Sequence, residues 1–200
     1  MSNDGGVLGM MKLMAKKIQS IAESIADEEV EGFSKAILSA NRVYVMGAGR
    51  SGLVAKAFAM RLMHLGFTSF VVGETITPAI EKNDMLIAFS GSGNTRSIAD
   101  VAQTAKGLGA TVGLITSNKE STIGQIADTI VVIESQRDAV TDESHEYDIR
   151  QMMGEHRSFA PLGTIFETTS MVFSDALVSY LMEITETSEG ELKKRHTNIE

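Results

Sequence analysis

Three hydroxyl side chains lie close together in a short glycine-rich segment in the middle of the chain. The segment reads Ser90-Gly91-Ser92-Gly93-Asn94-Thr95. Its hydroxyl groups can hydrogen-bond a phosphate without adding charge, and its glycines let backbone N–H groups approach the same anion closely. These residue types at this spacing predict a binding site for a monophosphate.

The segments on both sides of this loop have the patterns that such a site needs. Met85–Phe89 is an apolar run with the length of a buried parallel strand, and a helical pattern follows the loop from Ile98. A helix that begins there would add free N-terminal amides and the positive end of its dipole. The loop lacks the lysine of a nucleotide-binding P-loop, which favours a monophosphate over a nucleotide. An ordinary strand-to-helix turn is the alternative that this segment alone leaves open.

A second glycine-rich segment follows an earlier apolar run at residues 42–46. It reads Gly47-Ala48-Gly49-Arg50-Ser51-Gly52. The glycine spacing matches the dinucleotide fingerprint, and Glu74 stands about 20 residues later, where a Rossmann site has its acidic residue. That interpretation gives the loop at Ser90 no role, whereas a sugar phosphate held between the two loops uses both. Arg50 would then bind the phosphate or a sugar hydroxyl, with an ordinary surface arginine as the alternative.

The composition argues against several classes of function. The chain has 200 residues and a formal net charge of −8, which disfavours a nucleic-acid partner. No apolar run reaches the length of a membrane span, so we expect no membrane partner. The chain has no cysteine, and no cluster of His, Asp and Glu has the spacing of metal ligands, so we expect neither a metal nor another cofactor. The absence of cysteine and of a signal-peptide pattern predicts a cytoplasmic protein.

Hydrophobic periodicity predicts five strands that alternate with helices. The strands are predicted at residues 42–46, 69–72, 85–89, 111–116 and 129–133. The helices between them are predicted at residues 53–65, 98–106 and 121–127. The alternation predicts an α/β fold, a doubly wound five-stranded parallel sheet flanked by helices in a flavodoxin-like three-layer sandwich, with ligands at the carboxyl ends of the strands. Residues 134–157 are acidic and break the pattern, which predicts a long mobile or functional loop.

Further helical patterns precede and follow the strand region. Two helices are predicted at residues 7–26 and 28–40, and a long helix with a broad apolar face at residues 162–186. Together they carry more apolar surface than a five-stranded sheet can cover, which predicts contacts with other subunits. Glu167 falls in the first turns of the long helix, where an acidic residue can simply balance the helix dipole. His64, at the end of an earlier helix, is expected to interact with the dipole there.

Four segments together resemble the sugar isomerase (SIS) domain family. They are Gly47-Ala48-Gly49-Arg50-Ser51-Gly52, Ser90-Gly91-Ser92-Gly93-Asn94-Thr95, Pro161-Leu162-Gly163-Thr164-Ile165-Phe166-Glu167 and Arg195-His196-Thr197-Asn198-Ile199-Glu200. Within the family the chain is most similar to the 6-phospho-3-hexuloisomerase branch, from about residue 10 onward. The resemblance implies a single SIS domain over residues 1–200 and a homotetramer, a dimer of dimers, with residues 7–40 and 162–200 in the subunit contacts.

The resemblance also implies a reaction. The branch interconverts D-arabino-hex-3-ulose 6-phosphate and fructose 6-phosphate through an enediolate, in the ribulose monophosphate pathway of formaldehyde fixation, which links it to 3-hexulose-6-phosphate synthase. Glu167 would be the base that moves the proton between C2 and C3. His196 would assist ring opening as an acid–base group, since histidine exchanges protons near neutral pH. The residues expected to bind the phosphosugar are Gly49, Arg50, Ser51, Ser90, Gly91, Ser92, Gly93, Asn94 and Thr95.

Two other functions stay open at this point. A phosphosugar-binding sensor without catalytic activity would keep both glycine-rich loops but would not need Glu167 or His196. An isomerase of the same family could act on another ketose or aldose phosphate, because the sequence does not give the size of the sugar pocket. His196 could also be a tail residue without a catalytic role.

Overall fold

Five parallel strands form the central sheet of the computed structural model, which describes residues 6–134 and 163–199. The strands are β1 (Val43–Gly47), β2 (Ser69–Val71), β3 (Met85–Phe89), β4 (Thr111–Thr116) and β5 (Thr129–Val132). They pair side by side in the order β2-β1-β3-β4-β5. Strand β1 lies between β2 and β3, so the chain passes from β1 to one side of it and then crosses over to the other side. The point between β1 and β3 is therefore the switch point of the sheet. The loops that follow these two strands therefore border the crevice where ligands bind in such sheets.

Six helices are described around this sheet. They are α1 (Val7–Ala22), α2 (Asp27–Ser39), α3 (Arg50–Leu65), α4 (Arg96–Gly107), α5 (Thr164–Ile184) and α6 (Glu189–Arg195). Helices α2, α3 and α5 cover one face of the sheet, and α4 covers the other together with the turns that follow β4. No helix in residues 6–134 and 163–199 has the length and apolar character needed to cross a membrane.

The apolar runs of the sequence form strands because both faces of the sheet are covered. In β3, Met85, Ile87 and Phe89 pack into the core beneath α2, α3 and α5, whereas Leu86 and Ala88 pack into the core beneath α4. All five residues of β3 are buried. A strand with two buried faces needs apolar side chains at every position, which explains the continuous runs.

The predicted fold class is confirmed, and all strand bounds agree within one residue. Helix α3 begins at Arg50, three residues before the predicted start, so the second half of that glycine-rich segment lies in the first turn of a helix. Helix α1 ends at Ala22, before the predicted residue 26. The acidic segment 134–157 lies outside the described residues except for Glu134.

The helix predicted at residues 121–127 is wrong, because this segment forms turns. The Ser121 hydroxyl accepts a hydrogen bond from the backbone N–H of Gly124 at 3.2 Å. The backbone N–H of Ile123 donates to the carbonyl of Gly93 at 3.0 Å, in the loop after β3. Side-chain bonds to nearby backbone groups compete with helix formation, and here they fasten the segment to the neighbouring loop.

Candidate active site

The loop of residues 90–95, here called the serine loop, joins β3 to α4 at the carboxyl edge of the sheet. The Ser90 hydroxyl is buried and accepts a hydrogen bond from the backbone N–H of Gly93 at 3.1 Å. The Ser92 hydroxyl is half-buried and accepts from the backbone N–H of Asn94 at 3.2 Å. Ser90 therefore supports the shape of the loop, whereas Ser92 is more accessible to a ligand. Thr95 precedes α4, and its side chain makes no capping hydrogen bond with that helix.

Contacts with the turns after β4 fix this loop. The side-chain oxygen of Asn94 accepts from the backbone N–H and the hydroxyl of Thr122, at 2.8 and 2.9 Å. Gly93 has a φ of +62°, and a Cβ atom built there would lie 1.9 Å from the Ser121 hydroxyl oxygen. Only glycine fits this position. The sequence suggests Ser121 or Thr122 only as the N-cap of a helix and does not reveal their contacts with the serine loop, because their partners are about 30 residues away.

The turn between β1 and α3 is equally tight. It places Arg50 and Ser51, two residues predicted to bind the substrate, at the same edge of the sheet. A Cβ atom on Gly47 would lie 2.7 Å from the backbone of Ser51, so the strand and the helix approach as closely as glycine allows. Ser51 and Arg50 occupy the first turn of α3, with Ser51 buried and Arg50 exposed. Glu74, the acid of the dinucleotide alternative, forms an exposed ion pair with Lys56 at 2.5 Å. That pairing occupies the carboxylate that the dinucleotide interpretation needs for a ribose.

Glu167 lies beside this turn, in the first turn of α5. The Arg50 Nε atom donates to Glu167 Oε2 at 2.9 Å, and the side chains are 61% and 14% exposed, respectively. Gly163, which precedes the helix with a φ of +83°, lies under the carboxylate, since a Cβ atom there would be 3.0 Å from Glu167 Oε1. The carboxylate is thus held between an arginine and the start of its own helix, where the helix dipole favours negative charge.

A cavity of about 300 Å³ opens at this ion pair. It is lined by Arg50, Leu53, Val54, Glu167, Thr168 and Met171. The serine loop lies close to it, because a Cβ atom on Gly91 would be 3.1 Å from the ring of Phe166, the neighbour of Glu167. The structure therefore brings both glycine-rich segments and Glu167 together, at sequence separations that no local pattern reveals.

His196 lies elsewhere in the same chain. Its ring stacks on the ring of His64, with 4.9 Å between centroids and 26° between planes. His64 is in the last turn of α3 and Arg50 in the first, and 14 helical residues at ~1.5 Å each separate the two by roughly 21 Å. One chain alone does not bring His196 to Glu167. His64 itself is buried, and burial lowers its pKa, which disfavours the charged form expected next to the helix dipole.

No group of three or more His, Asp or Glu residues within residues 6–134 and 163–199 has an arrangement that could hold a metal ion. The chemical groups that the described site offers are one carboxylate, one guanidinium, several hydroxyls and the free amides of two helix N-termini. Such a set can bind an anion and transfer a proton.

Comparison with known proteins agrees with this geometry. The sequence model of the SIS domain family matches residues 36–146 of this chain. The 3-hexulose-6-phosphate isomerase of Bacillus subtilis is 38% identical over 92% of this chain and 94% of that protein, and the enzyme of the same name from Mycobacterium gastri is 37% identical over 95% and 89%. A solved structure from Methanococcus jannaschii, for which the function of 3-hexulose-6-phosphate isomerase was inferred, superposes with a TM-score of 0.78 at 32% identity over 96% of this chain and 99% of that one. The chain therefore belongs to the SIS domain family.

Proposed function

We propose that this chain is a phosphosugar isomerase that interconverts D-arabino-hex-3-ulose 6-phosphate and fructose 6-phosphate through an enediolate. The observation that carries the proposal is the Glu167 carboxylate, held beside a hydroxyl-rich anion loop at the crevice of the sheet. The named relatives support the choice of substrate, since they match this chain over most of its length. We extend the proposal to a single SIS domain over residues 1–200.

The phosphate would bind at the serine loop. The N-terminus of α4 follows the loop directly, so its free amides and dipole add to the hydroxyl groups of Ser92 and Thr95. The buried Ser90 hydroxyl and the Asn94 side chain keep the loop in shape through the bonds described above. These groups favour the binding of a phosphate at the loop although the net charge of the whole chain is negative.

The reaction needs one base that acts on one face of the sugar. Starting from the 3-ulose, Glu167 takes the proton from C2, the electrons of that bond form the C2–C3 double bond, and O3 becomes the enediolate oxygen. Collapse of the enediolate places the carbonyl at C2, and Glu167 returns the proton to C3 while the hydroxyl proton moves from O2 to O3. Arg50, the Ser51 hydroxyl and the amides of α3 are the groups available to stabilise the enediolate.

Ring opening concerns only one direction. Fructose 6-phosphate closes a ring through O5 and C2, whereas the 3-ulose would need a four-membered ring or the phosphorylated O6. We propose His196 as the acid–base group for this step. Because it stacks on His64 at one end of α3 while Glu167 pairs with Arg50 at the other end, it would act on the site of another subunit.

The proposed assembly is a homotetramer, a dimer of dimers, with residues 7–40 and 162–200 in the contacts. Its support is the exposed apolar surface of α1 and α5. The exposed side chains there are Val7, Leu8, Met10, Met11, Leu13, Val172, Tyr180 and Ile184. Apolar surface of this extent marks an interface. We place the enzyme in the cytoplasm and in the ribulose monophosphate pathway, where 3-hexulose-6-phosphate synthase would supply its substrate.

An assay of purified protein tests the substrate directly. The protein should convert fructose 6-phosphate and the 3-ulose and leave arabinose 5-phosphate and sedoheptulose 7-phosphate unchanged. Binding of fructose 6-phosphate without turnover would instead indicate a phosphosugar-binding sensor, and turnover of another phosphosugar would indicate a different substrate.

Activity should survive treatment with EDTA. The proposed proton transfer needs only a carboxylate and hydrogen-bond donors, and the described residues contain no group of metal ligands. Initial rates before and after chelation provide the measurement. Loss of activity in EDTA that returns with Mg²⁺ or Zn²⁺ contradicts this prediction.

Ser92→Ala should weaken the binding of fructose 6-phosphate. A lost hydrogen bond to a charged phosphate costs roughly 1.5–3 kcal/mol, which raises Kd by about 10- to 100-fold. Isothermal titration calorimetry measures the change, and Ser20→Ala, an exposed serine on α1, is the matched control. An unchanged Kd in Ser92→Ala removes this hydroxyl from the phosphate site.

A further inference from the structure

The buried side chain of His64 has no part in the chemistry described so far. It is only 4% exposed and lies in the last turn of α3. Its one ring contact in the described residues is the stack with His196, whose own side chain is exposed. A buried imidazole thus forms the surface against which an exposed imidazole rests.

Two further contacts hold residues 188–199, here called the tail, at the end of α3. Arg195 Nη1 donates to the backbone carbonyl of His64 at 3.1 Å, which satisfies one of the carbonyls left without a partner at a helix C-terminus. Gly66 follows with a φ of +102°, and a Cβ atom there would lie 3.1 Å from Arg195 Cζ. Glycine at this position therefore serves both the helix end and the passage of the arginine.

Within residues 6–134 and 163–199, few other contacts hold the tail in place. Helix α6 contains no buried residue, and its capping box between Ser188 and Glu191 stabilises the helix itself rather than its position. Leu192 adds a partly buried contact with the main core. The position of His196 therefore depends strongly on the end of α3.

We propose that His64 is a positioning residue for His196. Its buried ring, here called the seat, is the surface on which the His196 ring stacks, and it fixes where the tail presents His196 to a neighbouring subunit. The inference rests on the proposed role of His196 in catalysis. It gives His64, Gly66 and Arg195, which meet at this helix end, a shared function. The end of α3 would then support the active site of another chain.

Charge makes this seat sensitive to acid. Burial lowers the pKa of His64, and the neighbouring His196 ring and Arg61 guanidinium lower it further. The other charged groups there are the Arg195 guanidinium on the His64 carbonyl and Asp175, which lies 4.0 Å from Arg61. Because the nearby His196 ring contributes to this lowering, the pKa of His64 is lower with the tail in contact than with the tail detached. Contact with the tail is therefore fully favourable above the ordinary pKa range of histidine and weakens as the pH falls through that range, since the detached state binds the proton more readily.

Two variants of His64 test the proposal. In His64→Ala, kcat should fall by about 10- to 100-fold, the size expected when a reacting group is misplaced by about 1 Å. KM for fructose 6-phosphate should not change, because the serine loop is intact. In His64→Phe the ring stack is retained, and kcat at neutral pH should return to within a few-fold of the wild type. Lys193→Ala, an exposed change on the tail, is the matched control.

Hydrogen exchange follows the tail independently of activity. Protection factors of residues 189–196 should fall in His64→Ala and stay high in His64→Phe, while α3 remains protected in both. Lowering the pH from about 7.5 to 5.5 should reduce the protection in the wild type but not in His64→Phe, where a protonated imidazole stacks favourably on the aromatic ring. Unchanged tail protection in His64→Ala, or the same acid response in His64→Phe, overturns the inference. Full activity of His196→Ala would instead contradict the proposed role of His196, and hydrogen exchange would still report whether His64 seats the tail.

Discussion

Glu167→Gln is expected to reduce turnover by about 10²–10⁴-fold, the usual effect of removing a general base. The amide keeps the shape of the side chain and can still accept a hydrogen bond from Arg50, but it cannot take the proton from the sugar carbon. Affinity for fructose 6-phosphate should stay within a few-fold of the wild type, because the serine loop is unaffected. Single-turnover rates and calorimetry on the same protein separate the two effects.

Glu183→Gln is the matched control, since Glu183 is an exposed glutamate near the other end of the same helix. It should retain normal turnover. If Glu167→Gln retained near-normal turnover, Glu167 would not be the base. If it lost affinity as strongly as turnover, the ion pair with Arg50 would be needed mainly for binding. Deuterium from solvent should enter C3 of fructose 6-phosphate during wild-type turnover, to the extent that the protonated Glu167 exchanges before it returns the proton.

The fold could be predicted from the sequence because the signals are local. Strands such as β3 are buried on both faces and therefore appear as uninterrupted apolar runs that end in glycine or serine. The sequence misplaces the start of α3, because glycine usually marks a loop. Gly52 lies inside the helix, where a Cβ atom would be 2.7 Å from the carbonyl oxygen of Gly47. This glycine serves a close approach of backbones rather than a turn.

The site could be predicted only in part, because its decisive contacts are non-local. Glu167 and Arg50 are paired across 117 positions of the chain, and neither hydropathy nor spacing reveals such a contact. The second glycine-rich segment indicated Arg50 and the resemblance to a family indicated the role of Glu167, but the ion pair between them came from the structure. Likewise, His64 was interpreted from its own helix alone, since its partner His196 lies more than 100 residues further along.

Mixing two inactive variants is expected to restore activity if the active site is shared between subunits. Glu167→Gln lacks the base and His196→Ala lacks the ring-opening group, and each should be inactive towards fructose 6-phosphate. After unfolding and refolding together at equal amounts, about a quarter of the sites in a random oligomer combine an intact Glu167 with an intact His196 from another chain. The mixture should therefore recover up to about a quarter of the wild-type rate, because intact sites act independently.

Recovery in the mixture would require contact between subunits, because one chain does not bring Glu167 and His196 together. Within a subunit, Glu167 pairs with Arg50 at one end of α3 and His196 stacks on His64 at the other. The rise of the helix between Arg50 and His64 is roughly 21 Å, which is longer than one sugar phosphate can span. Refolding each variant alone controls for recovery, and refolded wild type sets the maximum rate. If His196→Ala is fully active, or if verified hybrids stay inactive, the shared site is wrong. A protein that sediments as a monomer at micromolar concentration and still turns over fructose 6-phosphate contradicts it as well, since no second chain is then present to supply His196.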